Sequence, residues 1–565
     1  MSQSAANDVI TLPEPSKQNS STTDSVSSAS GHRSTQRASA AESPAAEEPR
    51  PEAPSTEVFA VYGVEPEIQA YAMAKYSRSS LSMKESLREI SSQKAEKFLN
   101  TFYFQYGHRS IADLAHIALA VERLSILAAI ELADEQRWDG QERSTRYQDF
   151  KKSGYYVPDF GAGGREDDEA RKLYCETLDG LFADYNALSA HMTQHLINIT
   201  AKPAEMKQEA YERTLKARAF DITRYLLPLA TNTSLGEIVN ARTLETQVAH
   251  LLSHTHKEVR VLGESLKKAA TSAAYNVNAE SLKKLVDDIR AMNPELGARA
   301  EQELLHEVRV APTLVKYADP NEYEMATRRE LRQAARELMK SESVAPSKAI
   351  VDLLDEEPLE VEIATTLLYE HCHHSYRQVR QALQVSGERF RREIIDLGLR
   401  HRGKHDEMLR GFRAGQQFRF DILMDTGGFR DMHRHRRCIQ VMQGFTTQHG
   451  YEMLLDVEDA GMRSRYDAAM RRTQAAIEKL AARNAPEAEE NSQYAIPLAY
   501  RKRALFKMDF AEAVYISELR TTPAGHVSYR NVAYAMYEAV ARKYPALAKY
   551  FRVHDVTAPV DLLQR

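Results

Sequence analysis

The chain has 565 residues, enough for two or three ordinary domains, and its 75 Lys and Arg against 80 Asp and Glu leave a formal charge of −5. That balance gives no electrostatic reason to expect a nucleic-acid partner. Cys175, Cys372 and Cys438 lie too far apart for a CxxC pair or a disulfide framework, and neither a signal-peptide profile nor an apolar run of membrane-spanning length is present, so a cytoplasmic setting is expected.

Residues 1–56 contain no aromatic side chain and are rich in Ser, Ala, Pro and Glu, so they read as a disordered tail that cannot bury enough apolar surface to offset its ordering entropy. Order begins near Val58, with helical patterns over 68–75 and 82–99. After Gly107-His108-Arg109-Ser110, the stretch 111–133 is apolar on nearly every face, interrupted by Asp113, His116, Glu122, Arg123, Ser125 and Glu131. This predicts one buried helix.

Next comes Gln141-Glu142-Arg143-Ser144-Thr145-Arg146-Tyr147. If extended, it sets Glu142, Ser144 and Arg146 on one face. An Arg beside a Ser can hold a phosphate, and a Glu can fix a polar ring edge; the plainer alternative is a polar edge strand or surface turn. Gly161-Ala162-Gly163-Gly164 lacks the dinucleotide spacing and reads as a loop. Helical patterns over 168–195 and 204–218 lead to Arg224-Tyr225-Leu226-Leu227-Pro228 and then to Asn240-Ala241-Arg242-Thr243-Leu244, where Asn240 also suits a helix N-cap.

Past Asp319-Pro320 the pattern restarts, with helices expected over 322–340 and 360–368. His371, Cys372, His373 and His374 follow, but sequence neighbours rarely converge on one ion and no second ligand pair stands at metal spacing, so no metal site is expected. The arginines from Arg377 to Arg437 are interleaved with Glu388, Glu393, Asp396, Asp406 and Glu407, as on solvated helix faces. Arg434-His435-Arg436, Ala495-Ile496-Pro497 and Glu518-Leu519-Arg520 complete the notable segments.

Gly-His-x-Ser, Glu142-x-Ser144-x-Arg146-Tyr147, the Arg224 turn and the Asn240 segment, in that order, resemble the flavin-dependent thymidylate synthases, whose signature reads Arg-His-Arg-x-x-Ser-x-Asn-Glu-x-Ser-x-Arg-Tyr. Here the signature is split. Its first half falls on Asp134, Glu135 and Gln136 in the first segment set, whereas Arg434-His435-Arg436 supplies that half without the second. The chain therefore reads as two diverged copies of one α/β (α+β), helix-rich domain, 57–320 and 321–565. Matching Arg242 to Arg520 gives an offset of 520 − 242 = 278 residues, while Asp134 to Arg434 gives 434 − 134 = 300; the difference implies an insertion or misalignment ahead of Phe418.

The resemblance implies methylation of dUMP to dTMP, with FAD as hydride carrier and NADPH and methylenetetrahydrofolate as co-substrates. It implies dUMP binding by Glu142, Ser144, Arg146, Arg224 and Arg530, catalytic roles for Arg434 and Arg436, and FAD binding by His108, Ser110, Asn240, Arg242 and His435. The family's glutamine three residues before Arg-His-Arg is Asp431 here. The family's tetramer implies a homodimer of the fused chain. Two alternatives stay open: an enzyme of this fold with another pyrimidine substrate, and a degenerate copy acting as a non-catalytic scaffold. The split signature also predicts that Ser144 and Arg146 face Arg434 and Arg436 around one anion-holding pocket.

Overall fold

A computed structural model describes residues 61, 63–75, 83–89, 109–161, 164–344, 347, 349–403 and 406–563. The expected tail, His108 and much of the 82–99 pattern lie outside the described residues.

The 111–133 stretch is not one helix. A 3-10 turn over Arg109–Leu114 leads into strand β1, His116–Ser125, and then helix α1, Ile126–Ala133. The strand alternates: Ile117 is buried and Leu119 and Val121 are half-buried, while His116, Ala118, Ala120 and Glu122 are exposed. Alanines on the outer face made this period-two pattern look like an unbroken apolar run. Arg123, at φ 62°, sits where the ladder register slips between Glu122 and Leu124. The Ser125 hydroxyl accepts the Ala128 N–H at 3.0 Å and starts α1.

Strand β2, Asp139–Glu142, and strand β3, Asn232–Asn240, complete an antiparallel sheet of order β1-β3-β2. Helices α2, Arg165–Ile199, and α3, Gln208–Thr223, lie between β2 and β3, and α4, Ala241–Leu252, and α5, Lys257–Thr271, follow. The 141–147 segment is extended only to Glu142; Thr145, Arg146 and Tyr147 form a turn. Arg143 makes the last ladder contact, its N–H donating to Ser234 O at 2.8 Å, and then the Ser144 hydroxyl accepts the Arg146 N–H at 3.2 Å. Thr145 and Arg146 are therefore buried side by side instead of alternating.

Helix α6, Glu322–Leu338, short strand β4, Val351–Leu353, helix α7, Leu359–Tyr369, and helix α8, Tyr376–Leu399, broken at Gly387 with φ 85°, come next. The three helices share a small core of their own around Leu331, Leu367, Leu368, Val379 and Leu383. Arginines on α8 pair with nearby carboxylates, Arg389 with Glu393 at 2.9 Å for example, as solvated faces do.

The second sheet, β4-β5-β7-β6, adds β5, Phe418–Asp425, β6, Ile439–Met442, and β7, Arg501–Met508. Its helices are α9, Thr426–Met432, α10, Arg463–Ala481, α11, Ala488–Gln493, α12, Phe510–Arg520, and α13, Val527–Lys543. The antiparallel order β5-β7-β6 repeats β1-β3-β2, and β1–α1 is matched by β5–α9 and β3–α4–α5 by β7–α12–α13. The chain is thus a tandem duplication.

Helix caps fix the register of the repeat. Ser125 and Asp425 cap α1 and α9, an offset of 425 − 125 = 300, whereas Asn240 and Asp509 cap α4 and α12, an offset of 509 − 240 = 269. The 31-residue change arises after β6, not ahead of Phe418: the β2–β3 step is 232 − 142 = 90 residues and the β6–β7 step 501 − 442 = 59. It is taken up by shorter helices, 19 and 6 residues in α10 and α11 against 35 and 16 in α2 and α3. Arg242 is therefore not matched by Arg520. With the 269 offset, Arg242 pairs with Ala511, and Arg520 takes the place of Leu251.

The copies join through their proline turns. Pro228 and Pro497 form an antiparallel bridge. Leu229 N–H donates to Ile496 O at 2.9 Å, Ala230 N–H to Tyr494 O at 2.8 Å, Leu498 N–H to Leu227 O at 2.9 Å and Ala499 N–H to Tyr225 O at 3.1 Å. One apolar core, containing Leu227, Leu229, Ile496 and Leu498, runs through both copies.

Candidate functional site

At the end of α3 the chain tightens into a 3-10 turn that buries Arg224 almost completely, at 2% exposure. Three residues earlier Asp221 shares that burial and stands between two guanidiniums. Arg146 grips it in bidentate fashion, Nε donating to Oδ1 at 2.9 Å and a terminal nitrogen to Oδ2 at 3.1 Å, and Arg224 Nε lies 3.5 Å from Oδ1. Burial opposes ionisation of Asp221, but His526, Arg224 and Arg146 outweigh it and hold the carboxyl well below its usual range.

This first-copy cluster touches the second copy directly. Arg146 donates to the Tyr529 hydroxyl at 3.0 Å and to Ala524 O at 3.1 Å. The Arg224 guanidinium is 3.6 Å from Asp431, and Arg430 donates to Thr145 Oγ1 at 3.2 Å and to the Glu142 carboxylate. The two halves of the split signature therefore adjoin within one chain. The pocket they form is small, however: the cavity bounded by Glu142, Trp138, Arg430, Arg434 and Arg436 has a volume of about 20 Å³.

Arg434 is exposed, and among the described residues its guanidinium has no hydrogen-bond or ion-pair partner. Arg520, at the end of α12, donates from Nε to His435 Nε2 at 2.7 Å and lies over the Tyr529 ring at 5.5 Å. Burial depresses the Arg520 guanidinium, Asp431 and Tyr529 oppose that, and Arg434 adds to it. His435 is itself lowered by burial, so it is neutral: Nε2 accepts from Arg520, and Nδ1 carries the proton toward Glu512, 3.6 Å away. Around the Arg224–Asp431 contact, Arg146, Arg224, Arg430, Arg434 and Arg520 face Glu142, Asp221 and Asp431, leaving 5 − 3 = 2 uncompensated positive charges. They reside on Arg434 and Arg520.

Other expected site residues lie elsewhere. Arg436 does not face Arg146; it pairs with Asp139 at 3.0 Å and lies over Trp138 at 5.4 Å. Ser144 is spent in its local turn. Arg530, 3% exposed, donates to Thr521 O at 3.1 Å between α12 and α13. Asn240 accepts the Thr243 N–H at 2.8 Å as the α4 cap, and Arg242 pairs with Asp113 at 3.2 Å beside Arg137, at 3.7 Å from the same carboxylate. Ser110 is exposed at the turn packed against α4. The expected anion among the arginines is supplied by the protein itself, as Asp221 and Asp431.

Sequence reasoning missed Asp221, Arg430 and Tyr529 and misplaced Arg520. Asp221 stands three residues before Arg224 and Arg430 four before Arg434, the spacings at which helical neighbours share a face, so both carried a readable signal. Tyr529 carried none. Among the described residues no group of three or more His, Cys, Asp or Glu is placed to hold a metal, and no helix is long and apolar enough to cross a membrane.

The fold and site define a class: a tandem α+β duplication with one arginine-rich junction between complementary halves. The chain belongs to the family described as thymidylate synthase complementing protein, which matches residues 61–274 and 350–546, one stretch in each copy. It is 27% identical over 536 residues to a UPF0159 protein of Chlamydia pneumoniae, covering 90% of this chain and 93% of the relative. A UPF0159 protein of Thermoplasma acidophilum is 24% identical over 522 residues, covering 86% and 94%. A flavin-dependent thymidylate synthase of Clostridium tetani is 24% identical over 217 residues, 38% of this chain and 82% of that protein. Among solved structures, the UMP/dUMP methylase PolB from Streptomyces cacaoi is 18% identical, covering 36% of this chain and 84% of that one, with a TM-score of 0.26. The flavin-dependent thymidylate synthase ThyX from Helicobacter pylori, complexed with FAD and dUMP, is 16% identical, with 36% and 89% covered and a TM-score of 0.22.

Proposed function

We propose that the protein is a flavin-dependent thymidylate synthase that methylates dUMP with methylenetetrahydrofolate as carbon donor and NADPH as reductant, at one composite site per chain. Family membership, matched over 61–274 and 350–546, supports the reaction class, and we take the two halves as 57–320 and 321–565. The observation that carries the reading is the meeting of Glu142, Arg146 and Arg224 with Arg430, Asp431 and Arg520, with two guanidiniums left uncompensated.

In this reading Arg434 and Arg520 receive the anionic substrate, and Arg146 and Arg224, fixed by Asp221, form the charged foundation beneath it. The side chains fit an anionic, ring-bearing cofactor with sugar hydroxyls: Arg434 is open to an anion, Arg436 lies against the Trp138 ring, and Asp113 Oδ1, without a hydrogen-bond partner, can accept from a hydroxyl. Arg242, Asn240, Ser110, His108 and His435 would hold FAD, which supplies hydride transfer when bound. The chain's own part is orientation and stabilisation of developing negative charge by the guanidiniums. A homodimer is the assembly expected, and sedimentation of the flavin-loaded protein tests it.

A second reading, a non-catalytic nucleotide-binding scaffold, is favoured by one observation: the room of only about 20 Å³ beside Glu142 and Arg434. Flavin content of the purified protein and rescue of a thymidine-requiring strain decide between them. The enzyme reading expects bound flavin and rescue, both lost in Arg434→Ala; flavin-free protein without rescue overturns it.

A further inference from the structure

The duplication creates two junctions between the copies, related by an approximate twofold. At the second, the 300 and 269 offsets put Thr446, Ile130, Asp134 and Leu251 where the first has Arg146, Arg430, Arg434 and Arg520. Four guanidiniums are replaced by a hydroxyl, two alkyl groups and a carboxylate. What remains is a cavity of about 1370 Å³, reaching from Glu131 and His256 to helix α6 and the segment His371–His374. That exceeds the roughly 300–1,000 Å³ of ordinary small-molecule pockets.

Its inner wall holds polar atoms without a hydrogen-bond partner among the described residues. Lys502, 2% exposed, stands where the first copy has Thr233, since 502 − 269 = 233. Its ammonium lies 4.0 Å from the centre of the Phe445 ring and 4.6 Å from that of Phe429. Among the described residues it has no hydrogen-bond or ion-pair partner; Glu131 and Asp134 act on it only through space. Of the cavity's arginines, Arg410 pairs with Asp134 at 2.7 Å, Arg328 with Glu324 at 2.7 Å, Arg332 with Glu490 at 3.9 Å and Arg336 with Glu489 at 3.5 Å, while Arg413 hydrogen-bonds the Gln136 amide oxygen. Neither ring nitrogen of His256, 6% exposed, has a hydrogen-bond partner, nor do Nδ1 of His373 and His374 or Oε1 of Gln443. Burial lowers His256 to about 3 and His373 to about 4, so both are neutral imidazoles able to donate or accept.

A buried unpaired ammonium is costly unless an anion joins it, and buried polar atoms are ordinarily satisfied. We propose that the second junction is a separate ligand site for a heteroaromatic acid, whose single acidic group sits on Lys502 and whose ring edge is read by His256, His373, His374 and Gln443. The buried Lys502 ammonium, without an ion-pair partner among the described residues, calls for an acidic group, the flanking aromatic rings suit a planar partner, and the unpartnered atoms of His256, His373, His374 and Gln443 suit the polar edge of a heteroaromatic ring. The proposal does not rest on the reaction assigned to the first junction.

Equilibrium dialysis of the full chain tests it, with uridine 5′-monophosphate and adenosine 5′-monophosphate as phosphate probes, orotate and nicotinate as carboxylate probes, and uridine as the neutral control. At least one acid should bind saturably and well above uridine, and the stronger series identifies the acidic group. Lys502→Met should weaken that binding about ten- to a hundredfold, the loss of one charge-assisted contact. Gly444→Leu provides a second route, because Gly444 lines the cavity and a Cβ there has one neighbour within 4 Å, His373 at 3.7 Å; it should also abolish binding. All titrations are made in the Arg434→Ala background, which removes nucleotide binding at the other junction. Absence of saturable binding by every acid in that background, or unaltered binding when Lys502→Met or Gly444→Leu is added, overturns the proposal.

Discussion

Arg224 of the first copy and Asp431 of the second approach to 3.6 Å across the junction, one 2% exposed and the other 19%. Asp431 stands where the resembled family carries a glutamine, so the exchange converts a neutral side chain into a counter-ion for a buried guanidinium. Asp221 nevertheless does more for the cluster, since it binds Arg146 through two hydrogen bonds as well as facing Arg224. Asp221→Asn should lower unfolding free energy by about 3–5 kcal/mol, as breaking a buried pair does. Asp431→Asn should cost less than about 2 kcal/mol. Urea titration measures both; equal losses would contradict this division of labour.

Arg520, not Arg530, occupies the position that the cap register matches to Leu251. Arg520→Leu should weaken dUMP binding about tenfold or more. Arg530→Leu, which loses a contact to Thr521 O, should act mainly on melting temperature. Calorimetric titration of both variants compares them, and the reverse ranking would restore Arg530 to the site.

The Lys502 ammonium, pushed down to about 8 by burial against the opposing Glu131 and Asp134, makes stability rise with pH. Above about pH 8 the native state gives up this proton, while the unfolded lysine keeps it to about 10.4. The unfolded state then binds more protons, so stability increases across that window. The difference between the natural protein and Lys502→Met should shift by up to roughly 3 kcal/mol between these limits. A flat difference in pH-stepped urea melts would show that the ammonium is already compensated.

Acid should destabilise the fold well before ordinary carboxylates titrate. Burial lowers His256, His449 and His526 to about 3 and His371 and His373 to about 4, and each takes up a proton near 6.5 on unfolding. These five contributions are lost as pH falls from about 6.5 toward 4. Glu67 and Glu237, raised to about 7 by burial, work the other way between about 4.5 and 7, because the native state holds their protons. Five against two leaves a net loss approaching roughly 4 kcal/mol per pH unit near pH 5. A melting temperature no lower at pH 5 than at pH 6.5 would contradict the balance.

Much of the order of segments was legible in the sequence, because proline turns, helix caps and long amphipathic helices leave local marks. The helices expected over 168–195, 322–340 and 360–368 are Arg165–Ile199, Glu322–Leu338 and Leu359–Tyr369. Where residue identity changed while the role persisted, the marks misled. Asp509 caps α12 as Asn240 caps α4, yet no Asn-Ala-Arg remains there, and Glu518-Leu519-Arg520 imitates it further on, its arginine 520 − 509 = 11 residues past Asp509. The small outer residues Ala118 and Ala120 hid a strand. The partnership of Arg146 with Tyr529, 383 positions apart, has no local trace at all.

The four backbone hydrogen bonds exchanged between the proline turns bear on how this chain is made. The Leu229 and Ala230 amides and the Tyr225 and Leu227 carbonyls meet their partners only once Tyr494 to Ala499 have left the ribosome. At roughly 5–20 residues per second of synthesis, the first copy waits many seconds with that edge open. Expressed alone, it would carry the same unsatisfied edge permanently and should be recovered as aggregates or as pairs of itself, whereas co-expression with residues 321–565 should restore a folded complex.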